Sequence, residues 1–278
     1  MPRRLAALVS TLAAAATLLP AAAQAQNIPM VRIPAGRFVM GSCLPPSEKD
    51  RFMGKTASCG AYDADAYSEE GPQRTVHVKA FELGKTEVTL GQFKQYIRAA
   101  GREDLLTDDF MKHNAHGDNA PVVEVSWNDA QAFIRWLNQT QGGGWRLPTE
   151  AEWEYACRAG GKHRYCGSND LNAVGWFDDN SGGRQRAVAQ KAPNAFGLYD
   201  MTGNVWEWVQ DCWHDSYRGA PTDGSAWTGN CEEGDRRVAR GGSWNLSARY
   251  ARAAIRISLT PGIRLYNFGF RLARTVAP

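Results

Sequence analysis

The C-terminal part of the chain carries no helical period, and this feature constrains the fold more than any other. After Gly160, glycine, asparagine, aspartate and aromatic residues alternate through to the C-terminus, a pattern typical of loops and short strands. The 278 residues also include 10 tryptophans. Large, rigid aromatic side chains can anchor a core that contains little regular structure. We therefore expect much of the fold to be held by side chains rather than by long helices or strands.

The N-terminal half does contain helix signals. Three predicted helices begin at hydroxyl residues that can cap a first turn, namely Thr89, Ser126 and Thr149. The first carries apolar residues on one face and ends at Gly101, whereas Glu152 completes a capping box with Thr149 in the third. Short strands are expected between Val31 and Lys85, and the polar segment 44–68 is expected to form a surface loop. These patterns together predict an α+β fold.

The first 25 residues have the features of a secretory signal peptide. Arg3 and Arg4 precede an apolar stretch from Leu5 to Leu19, and Ala23-Gln24-Ala25 forms a small-x-small cleavage site. The alternative is a retained N-terminal anchor, although the stretch is short and rich in alanine for a membrane span. We expect one domain over residues 26–278, exported to a bacterial periplasm, with no membrane insertion after cleavage.

Charge excludes two classes of partner. The chain carries 32 lysines and arginines against 29 aspartates and glutamates, and removal of Arg3 and Arg4 brings the two counts closer still. Nucleic-acid and anionic-membrane binding both depend on a clear excess of basic side chains. The sequence therefore indicates neither partner.

The 6 cysteines fall in pairs that are close in sequence. An even number of cysteines in an exported protein favours disulfides, although the sequence alone cannot choose among the possible connectivities. Zinc ligation is the alternative, but no Cys-x-x-Cys spacing supports it. The predicted disulfides are Cys43–Cys59, Cys157–Cys166 and Cys212–Cys231.

One stretch has the composition of a rigid loop that binds a hard cation, namely NAFGLYDMTGNVWEWVQD at 194–211. Asp200 and Glu207 supply carboxylates, and Thr202-Gly203-Asn204 lies between them. Calcium takes six to eight oxygen ligands from carboxylates, amides and main-chain carbonyls. The alternative is an ordinary turn followed by a buried aromatic strand, since turns are rich in these residues for local reasons.

The same stretch resembles the formylglycine-generating enzyme (sulfatase-modifying factor) family. The resemblance extends in the family's order from about Met30 to Arg274. It rests on GLYDMTGNVWEW, on RGGSW at 240–244, on NFGFR at 267–271, and on earlier segments at 33–42, 87–89, 121–127 and 146–154. It implies a C-type-lectin-like fold with low secondary-structure content, but a fold does not by itself imply an activity.

The resemblance also implies two calcium positions. The first would use Asp200 and Glu207 with the carbonyl oxygens of Gly203 and Val205. The second would use the side-chain amides of Asn172 and Asn180 with the carbonyl oxygens of Ala173 and Gly182. Because Asn180 stands where a carboxylate is expected, we expect the second position to bind calcium more weakly.

The decisive departure from the family follows Ser243. Members that activate oxygen carry cysteines at the third and eighth positions after this serine, and these cysteines bind copper(I) and exchange thiols with the substrate. Here the two positions are Leu246 and Ala251. Neither side chain can bind a soft metal or act as a nucleophile, because both roles need a thiolate. Formylglycine generation by that route is not expected.

A binding cleft remains possible at the same place. Its predicted residues are Trp206, Arg240, Ser243, Leu246, Tyr250, Ala251 and Arg252. Leu246 and Ala251 would form an apolar floor, and the arginines would bind a carboxylate or backbone oxygen of a peptide, unless they pair with neighbouring acids. His113 and His116 have ligand-like spacing, but without a third ligand nearby they are predicted to be a solvated pair.

Two functions follow as hypotheses. The first is a non-catalytic binding or regulatory protein, as in periplasmic relatives that accompany type VI secretion and act on the outer domain of a membrane Ser/Thr kinase. The second is a periplasmic tailoring enzyme, similar to relatives involved in oxidative maturation of a pyoverdine siderophore. No catalytic residue is predicted, and we expect the only cofactor to be calcium.

Overall fold

A computed structural model describes residues 27–47, 59, 62–231 and 234–276. The helices are α1 (Leu90–Ala100), α2 (Asp108–His113), α3 (Trp127–Gln141), α4 (Glu150–Arg158), α5 (Leu171–Val174) and α6 (Asp178–Ser181). The strands are β1 (Met30–Ile33), β2 (Gly36–Met40), β3 (Arg74–Val78), β4 (Phe81–Gly84), β5 (Trp145–Arg146), β6 (Trp206–Cys212), β7 (Arg237–Arg240), β8 (Arg256–Leu259), β9 (Phe268–Phe270) and β10 (Ala273–Thr275). The predicted signal peptide and most of the predicted 44–68 loop lie outside the described residues.

The described strands form three small sheets. One has the order β1-β4-β10-β5, a second pairs β2 with β3, and the third has the order β8-β7-β6-β9. All these pairings are antiparallel except that of β6 with β9, which brings Trp206 beside Phe268 in parallel register. The α+β prediction is confirmed, and so is the low content of regular structure after Gly160.

The three predicted helix starts are all confirmed. Thr89, Ser126 and Thr149 each accept a hydrogen bond from the backbone N–H three residues later, and the side chain at that third position bonds back to the cap. Each such reciprocal cap satisfies donors that a helix N-terminus otherwise leaves unpaired. The caps fix the positions at which α1, α3 and α4 begin and hence the faces that these helices bury.

Aromatic side chains fill the core between these helices and the third sheet. Phe93 of α1 stacks on Phe133 of α3 with ring centroids 5.6 Å apart, and both rings meet Phe270 of β9 edge-on. Trp206 and Trp208 of β6 are buried in the same cluster. This packing agrees with the expectation that aromatic anchors stabilise a chain with short strands.

The structure contains the three predicted disulfides. Their Cα–Cα distances are 5.7 Å for Cys43–Cys59, 4.7 Å for Cys157–Cys166 and 5.5 Å for Cys212–Cys231. No cysteine is left as a free thiol. Such a set of disulfides is typical of proteins that fold in an oxidising compartment. Within the described segments, none of the helices combines the length and apolar character needed to span a bilayer.

Asp211 connects the start of α4 to the segment that follows β6. Its buried carboxylate accepts the backbone N–H groups of Glu150 and Trp227, each at 2.8 Å. Burial, reinforced by the nearby charge of Glu150, raises the pKa of Asp211 to about 7. The folded protein therefore favours the protonated form of this side chain more than the unfolded chain does.

This pKa shift predicts a pH-dependent stability. Because the folded-state pKa lies above the unfolded value of 3.8, the stabilising contribution is complete below that value and is lost as the pH rises through about 7. Urea denaturation between about pH 5 and about pH 8 should show a falling free energy of unfolding. Asp211→Asn should flatten this part of the curve, whatever its own effect on stability. Parallel curves for the two proteins would show that Asp211 does not titrate in this range.

Candidate functional site

Two arginines that were predicted to line a binding cleft are instead internal. Arg240 is fully buried, and its guanidinium donates to Glu154 at 2.5 Å and to the carbonyl oxygen of Ala254 at 2.7 Å. Arg252 is buried as well, and it pairs with both carboxylate oxygens of Glu70 at 2.5 and 2.7 Å. Neither side chain is available to a ligand, so this part of the prediction is corrected. The alternative, that the arginines pair with acids of other segments, describes what the structure shows.

The remaining predicted cleft residues do not surround one space. Trp206 is a core residue, and Ala251 packs in a small separate apolar cluster. Leu246 is half-buried against the main core, whereas the Tyr250 hydroxyl lies 3.4 Å from that of Tyr67. Ser243 is buried, and its hydroxyl donates to Asn245 at 2.8 Å. A continuous apolar floor made by Leu246 and Ala251 is therefore absent from the described structure.

A pocket of about 340 Å³ lies beside this serine. The Asn245 amide, which accepts from Ser243, donates to the hydroxyl of Tyr266 at 3.1 Å. The ring of Tyr266 lies 5.8 Å from that of Trp244 and 5.6 Å from that of His113. We call this space the aromatic pocket. Its lining residues are Lys112, His113, His116, Gly183, Arg184, Gln185, Trp244 and Tyr266.

The aromatic pocket has a basic character. Its lining includes Lys112, Arg184 and two histidines but no carboxylate. Glu124 lies behind it, with Oε1 2.8 Å from Nδ1 of His113. Burial, with the charges of Arg184 and Arg186, lowers the pKa of His116. The indole N–H of Trp244 has no hydrogen-bond partner among the described residues. A ligand with an acceptor or anionic group fits this lining.

One of the two histidines is placed differently from the prediction. His116 is exposed, whereas His113 contacts Glu124 and the tilted ring of Tyr266. Sequence reasoning missed Tyr266 and Arg184 as pocket residues. Tyr266 is separated from Trp244 by a segment that includes β8, so only the aromatic character of both positions could have indicated that they meet.

The first predicted calcium set surrounds a buried arginine. Both carboxylate oxygens of Glu207 accept from the guanidinium of Arg271 at 2.6 Å, and the Trp153 indole donates to one of them at 2.7 Å. Asp200 is also buried, and it accepts the backbone N–H of Ala189 at 2.6 Å. The backbone at Gly203 approaches Trp176 so closely that a Cβ would lie 2.1 Å from the Trp176 carbonyl oxygen. Asp200, Gly203, Val205 and Glu207 thus belong to one tightly packed region.

A third carboxylate completes this region, and the sequence did not single it out as a ligand. Glu87 is buried, and its pKa is raised well above the usual value by burial and by the charges of Asp200 and Glu207. One oxygen of Glu87 accepts from Asn204 at 3.0 Å. The other oxygen of Glu87 and one oxygen of Asp200 are buried with no partner. Three carboxylates thus face the single guanidinium of Arg271.

These unpartnered oxygens fit a divalent cation. Buried polar atoms in proteins are nearly always paired, so two orphan carboxylate oxygens in one region indicate a missing partner. In the described chain, no three acidic, histidine or cysteine side chains converge on a ready-made metal position. A cation here would therefore depend on carbonyl oxygens as well, as the predicted roles of Gly203 and Val205 require.

The second predicted calcium set does not fit a metal. The amide nitrogen of Asn180 donates to the side-chain oxygen of Asn172 at 3.2 Å, so that oxygen is already engaged. The carbonyl oxygen of Asn172 accepts from the ammonium of Lys191 at 2.7 Å, and that of Ala173 accepts from Ala192. A Cβ on Gly182 would meet the guanidinium of Arg186 at 2.6 Å. Positive side chains stand where a cation was expected, so this prediction is corrected.

Comparison with known proteins identifies the scaffold. The profile of the sulfatase-modifying factor enzyme 1-like domain matches residues 15–276. A formylglycine-generating enzyme of Streptomyces coelicolor is 31% identical, with 94% of each chain aligned. The serine/threonine-protein kinase pkn1 of Chlamydia pneumoniae is 31% identical over 75% of this chain and 35% of the kinase. The solved structure of PvdO from Pseudomonas aeruginosa shares 31% identity and a TM-score of 0.71, with 89% of this chain and 94% of PvdO covered.

These similarities and the observed architecture lead to one conclusion about class. The chain belongs to the formylglycine-generating enzyme (sulfatase-modifying factor) family, and its fold is that of the family. The resemblance drawn from the sequence motifs is confirmed.

The burial of Arg240 generates a prediction about stability. Arg240→Met removes the guanidinium that pairs with Glu154 Oε2, whereas Arg158 and the backbone N–H of Gly41 still donate to Oε1. Breaking a buried ion pair typically costs about 3–5 kcal/mol, and because one oxygen stays paired we expect a loss toward the lower end of that range. Arg249→Met is the matched control, because Arg249 is exposed and surface changes usually stay within about 0.5 kcal/mol. Thermal and urea unfolding of both variants measure the difference. Equal stability of the two variants would show that Arg240 is not a structural residue.

Proposed function

We propose that this protein is an exported, non-oxidase member of its family that binds a polypeptide partner. The proposal rests on the observation that the chain has no free thiol. Leu246 and Ala251 occupy the positions where oxygen-activating relatives carry cysteines, and all 6 cysteines of the chain are in disulfides. Copper(I) binding and thiol exchange both need a thiolate. The protein is thus expected to work by recognition.

The aromatic pocket supports recognition of a peptide. Two aromatic walls, Trp244 and Tyr266, stand beside basic side chains, a composition that suits an apolar residue next to a carboxylate. Met111, on the same helix as His113, is 55% exposed, and Tyr266 is 39% exposed. Exposed large apolar side chains beside a pocket are typical of interaction surfaces.

A membrane Ser/Thr kinase is the proposed partner. The similarity to part of pkn1, named as a serine/threonine-protein kinase, supports a connection between this domain and kinases. The disulfides support a location outside the cytoplasm, and we propose the periplasm. There the protein would bind the periplasmic domain of the kinase, as in the regulation that accompanies type VI secretion.

The similarity to PvdO favours one alternative. In this second candidate function, the aromatic pocket would hold an exported small molecule for tailoring, such as a precursor of a pyoverdine-type siderophore. The two candidates differ in outcome, since a tailoring enzyme changes its ligand chemically and a regulator releases it unchanged. Mass spectrometry of the ligand after incubation separates them.

The binding proposal predicts a sequence preference. Peptides selected from a random library on the immobilised mature protein should be enriched in an aspartate or glutamate beside an apolar residue. Tyr266→Ala and Arg184→Gln should each weaken the selected peptides by about tenfold, roughly 1.4 kcal/mol. Fluorescence anisotropy with the peptides and with the purified periplasmic domain of the kinase measures the affinities.

Val39→Ser is the matched control, because Val39 is another exposed apolar residue and does not line the aromatic pocket. It should bind as the wild type does. A selection without acidic enrichment, or equal losses in Val39→Ser and Tyr266→Ala, would contradict the assignment of this pocket. Copper-dependent oxidation of a cysteine peptide by the wild-type protein would overturn the non-oxidase proposal itself.

We further propose that the first predicted metal set binds calcium. Asp200 and the newly identified Glu87 would supply their unpartnered carboxylate oxygens, Glu207 would share an oxygen with Arg271, and Gly203 and Val205 would supply carbonyl oxygens. The unpartnered buried oxygens of Glu87 and Asp200 support this proposal. Calcium prefers oxygen ligands of these kinds. It would balance the excess of carboxylates over Arg271 and so stabilise the loop that precedes β6.

Calcium should therefore raise the melting temperature of the wild-type protein. A ligand that binds only the folded state stabilises it by about 2.7 kcal/mol at a hundredfold excess over its Kd. Glu87→Gln should respond less to calcium. In chelator it should be about as stable as the wild type, because the amide replaces one of three crowded carboxyl groups with a neutral group of the same shape. Melting curves with calcium and with chelator give all four values.

Asp118→Asn serves as the control for this experiment, since the Asp118 carboxylate is 66% exposed and pairs with Lys94 on the surface. Its response to calcium should equal that of the wild type. Elemental analysis of the purified protein accompanies the melting curves, because a trapped ion can survive chelation. Identical melting with and without calcium, together with no metal in the protein, would remove the calcium proposal.

A further inference from the structure

A larger cavity of about 790 Å³ lies elsewhere on the molecule. Its lining includes residues near the ends of β1, β5 and β10 and the loop 223–226. None of its lining residues belongs to the aromatic pocket. Ligand pockets for small molecules commonly have volumes of about 300–1,000 Å³. Apolar side chains form much of its wall, namely Ala35, Ala80, Leu147, Ala226 and Val276.

The loop over this cavity is fixed in place. The Thr149 hydroxyl donates to the Gly224 carbonyl oxygen at 2.9 Å, and the backbone N–H of His77 donates to Thr222 at 2.8 Å. Gly224 has φ +76°, and a Cβ there would lie 2.8 Å from the His77 carbonyl oxygen. Only glycine allows this close approach without strain. The cavity is therefore preformed rather than created when a ligand binds.

The acidic side chains that line the cavity are already engaged. Both oxygens of Glu152 accept hydrogen bonds from Arg146, at 2.6 and 2.7 Å, so the guanidinium of Arg146 is engaged as well. Asp223 accepts from the hydroxyl and the backbone N–H of Ser225 at 2.6 and 3.0 Å. The bonds from Ser225 do not neutralise Asp223, but the lining carries three cationic side chains, Arg32, Lys79 and Arg146, against the two carboxylates.

Two basic side chains at the rim remain without ion pairs. Arg32 and Lys79 are exposed, and neither forms a salt bridge with any described residue. Glu82, the cross-strand neighbour of Arg32, lies 4.0 Å from Arg274 instead. The side-chain oxygen of Gln210 already accepts a hydrogen bond from Gln131, so the N–H donors of the Gln210 amide remain for a ligand. The cavity thus combines an apolar interior with a positive, hydrogen-bond-donating rim.

We propose that this cavity binds a small amphipathic anion, consisting of an apolar chain and one carboxylate. The chain would occupy the space beside Leu147 and Val276, and the carboxylate would lie between Arg32 and Lys79. This arrangement removes apolar surface from water while it leaves the charge at the solvent-exposed rim. The inference is independent of the polypeptide-binding proposal, because the two sites have no residue in common.

Decanoate is the test ligand, titrated into the full mature protein by calorimetry. We expect one saturable site. The double variant Arg32→Gln/Lys79→Gln should bind decanoate at least about tenfold more weakly, and wild-type protein should prefer decanoate to uncharged decanol by a similar factor. Arg98→Gln, which removes an exposed basic side chain that lines neither cavity, should leave decanoate binding unchanged.

A steric variant tests the position of the chain. Ala226→Trp fills the cavity and should abolish decanoate binding, provided that the variant melts at the same temperature as the wild type. If the tryptophan variant does not fold, Ala226→Leu is used instead. Absence of saturable decanoate binding by the wild type would overturn the proposal. Equal affinity for decanol, or full binding by the double variant, would do the same, because either result shows that the basic rim contributes nothing.

Discussion

Carboxylate–guanidinium pairs that are sealed from water hold this fold together. The described residues include four such pairs, Glu70–Arg252, Glu150–Arg256, Glu154–Arg240 and Glu207–Arg271, whose members are 64 to 182 residues apart in the chain. Burying a charge costs several kcal/mol, and that cost is recovered only when the partner's geometry is good and the remaining donors are satisfied. Carbonyl oxygens of Gly84 and Tyr199 complete the shell of Arg271, whereas Nε of Arg240 has no hydrogen-bond partner among the described residues. In a chain with short strands, these pairs specify which distant segments meet.

The same pairs explain where prediction from sequence succeeded and where it failed. Helix starts at Thr89 and Thr149 depend on residues three positions away, and the disulfides join cysteines that are neighbours in the sequence, so local patterns were enough. The role of Arg240 depends on Glu154, which is 86 residues distant. No local pattern shows whether such an arginine faces solvent or a buried acid. Glu87 was missed for the same reason, because its neighbours in space come from another part of the chain.

The scaffold is separable from the chemistry that other members of the family place on it. Leu246 packs against the main core, whereas Ala251 belongs to a different apolar cluster with Phe177. Both side chains take part in apolar packing, and neither belongs to one of the buried ion pairs. In the proposed function, a partner would contact loop residues, chiefly Trp244 and Tyr266 of the aromatic pocket.

The connectivity of the disulfides has a consequence for biogenesis. Cys43–Cys59, Cys157–Cys166 and Cys212–Cys231 each join a cysteine to the next one along the chain, with separations of 16, 9 and 19 residues. A polypeptide that is oxidised progressively from its N-terminus would therefore reach the native pairing directly, with no wrong bond to rearrange. Oxidation in chain order therefore needs no disulfide isomerase, whereas a long-range ion pair such as Glu70–Arg252 can form only after both of its distant segments have been made.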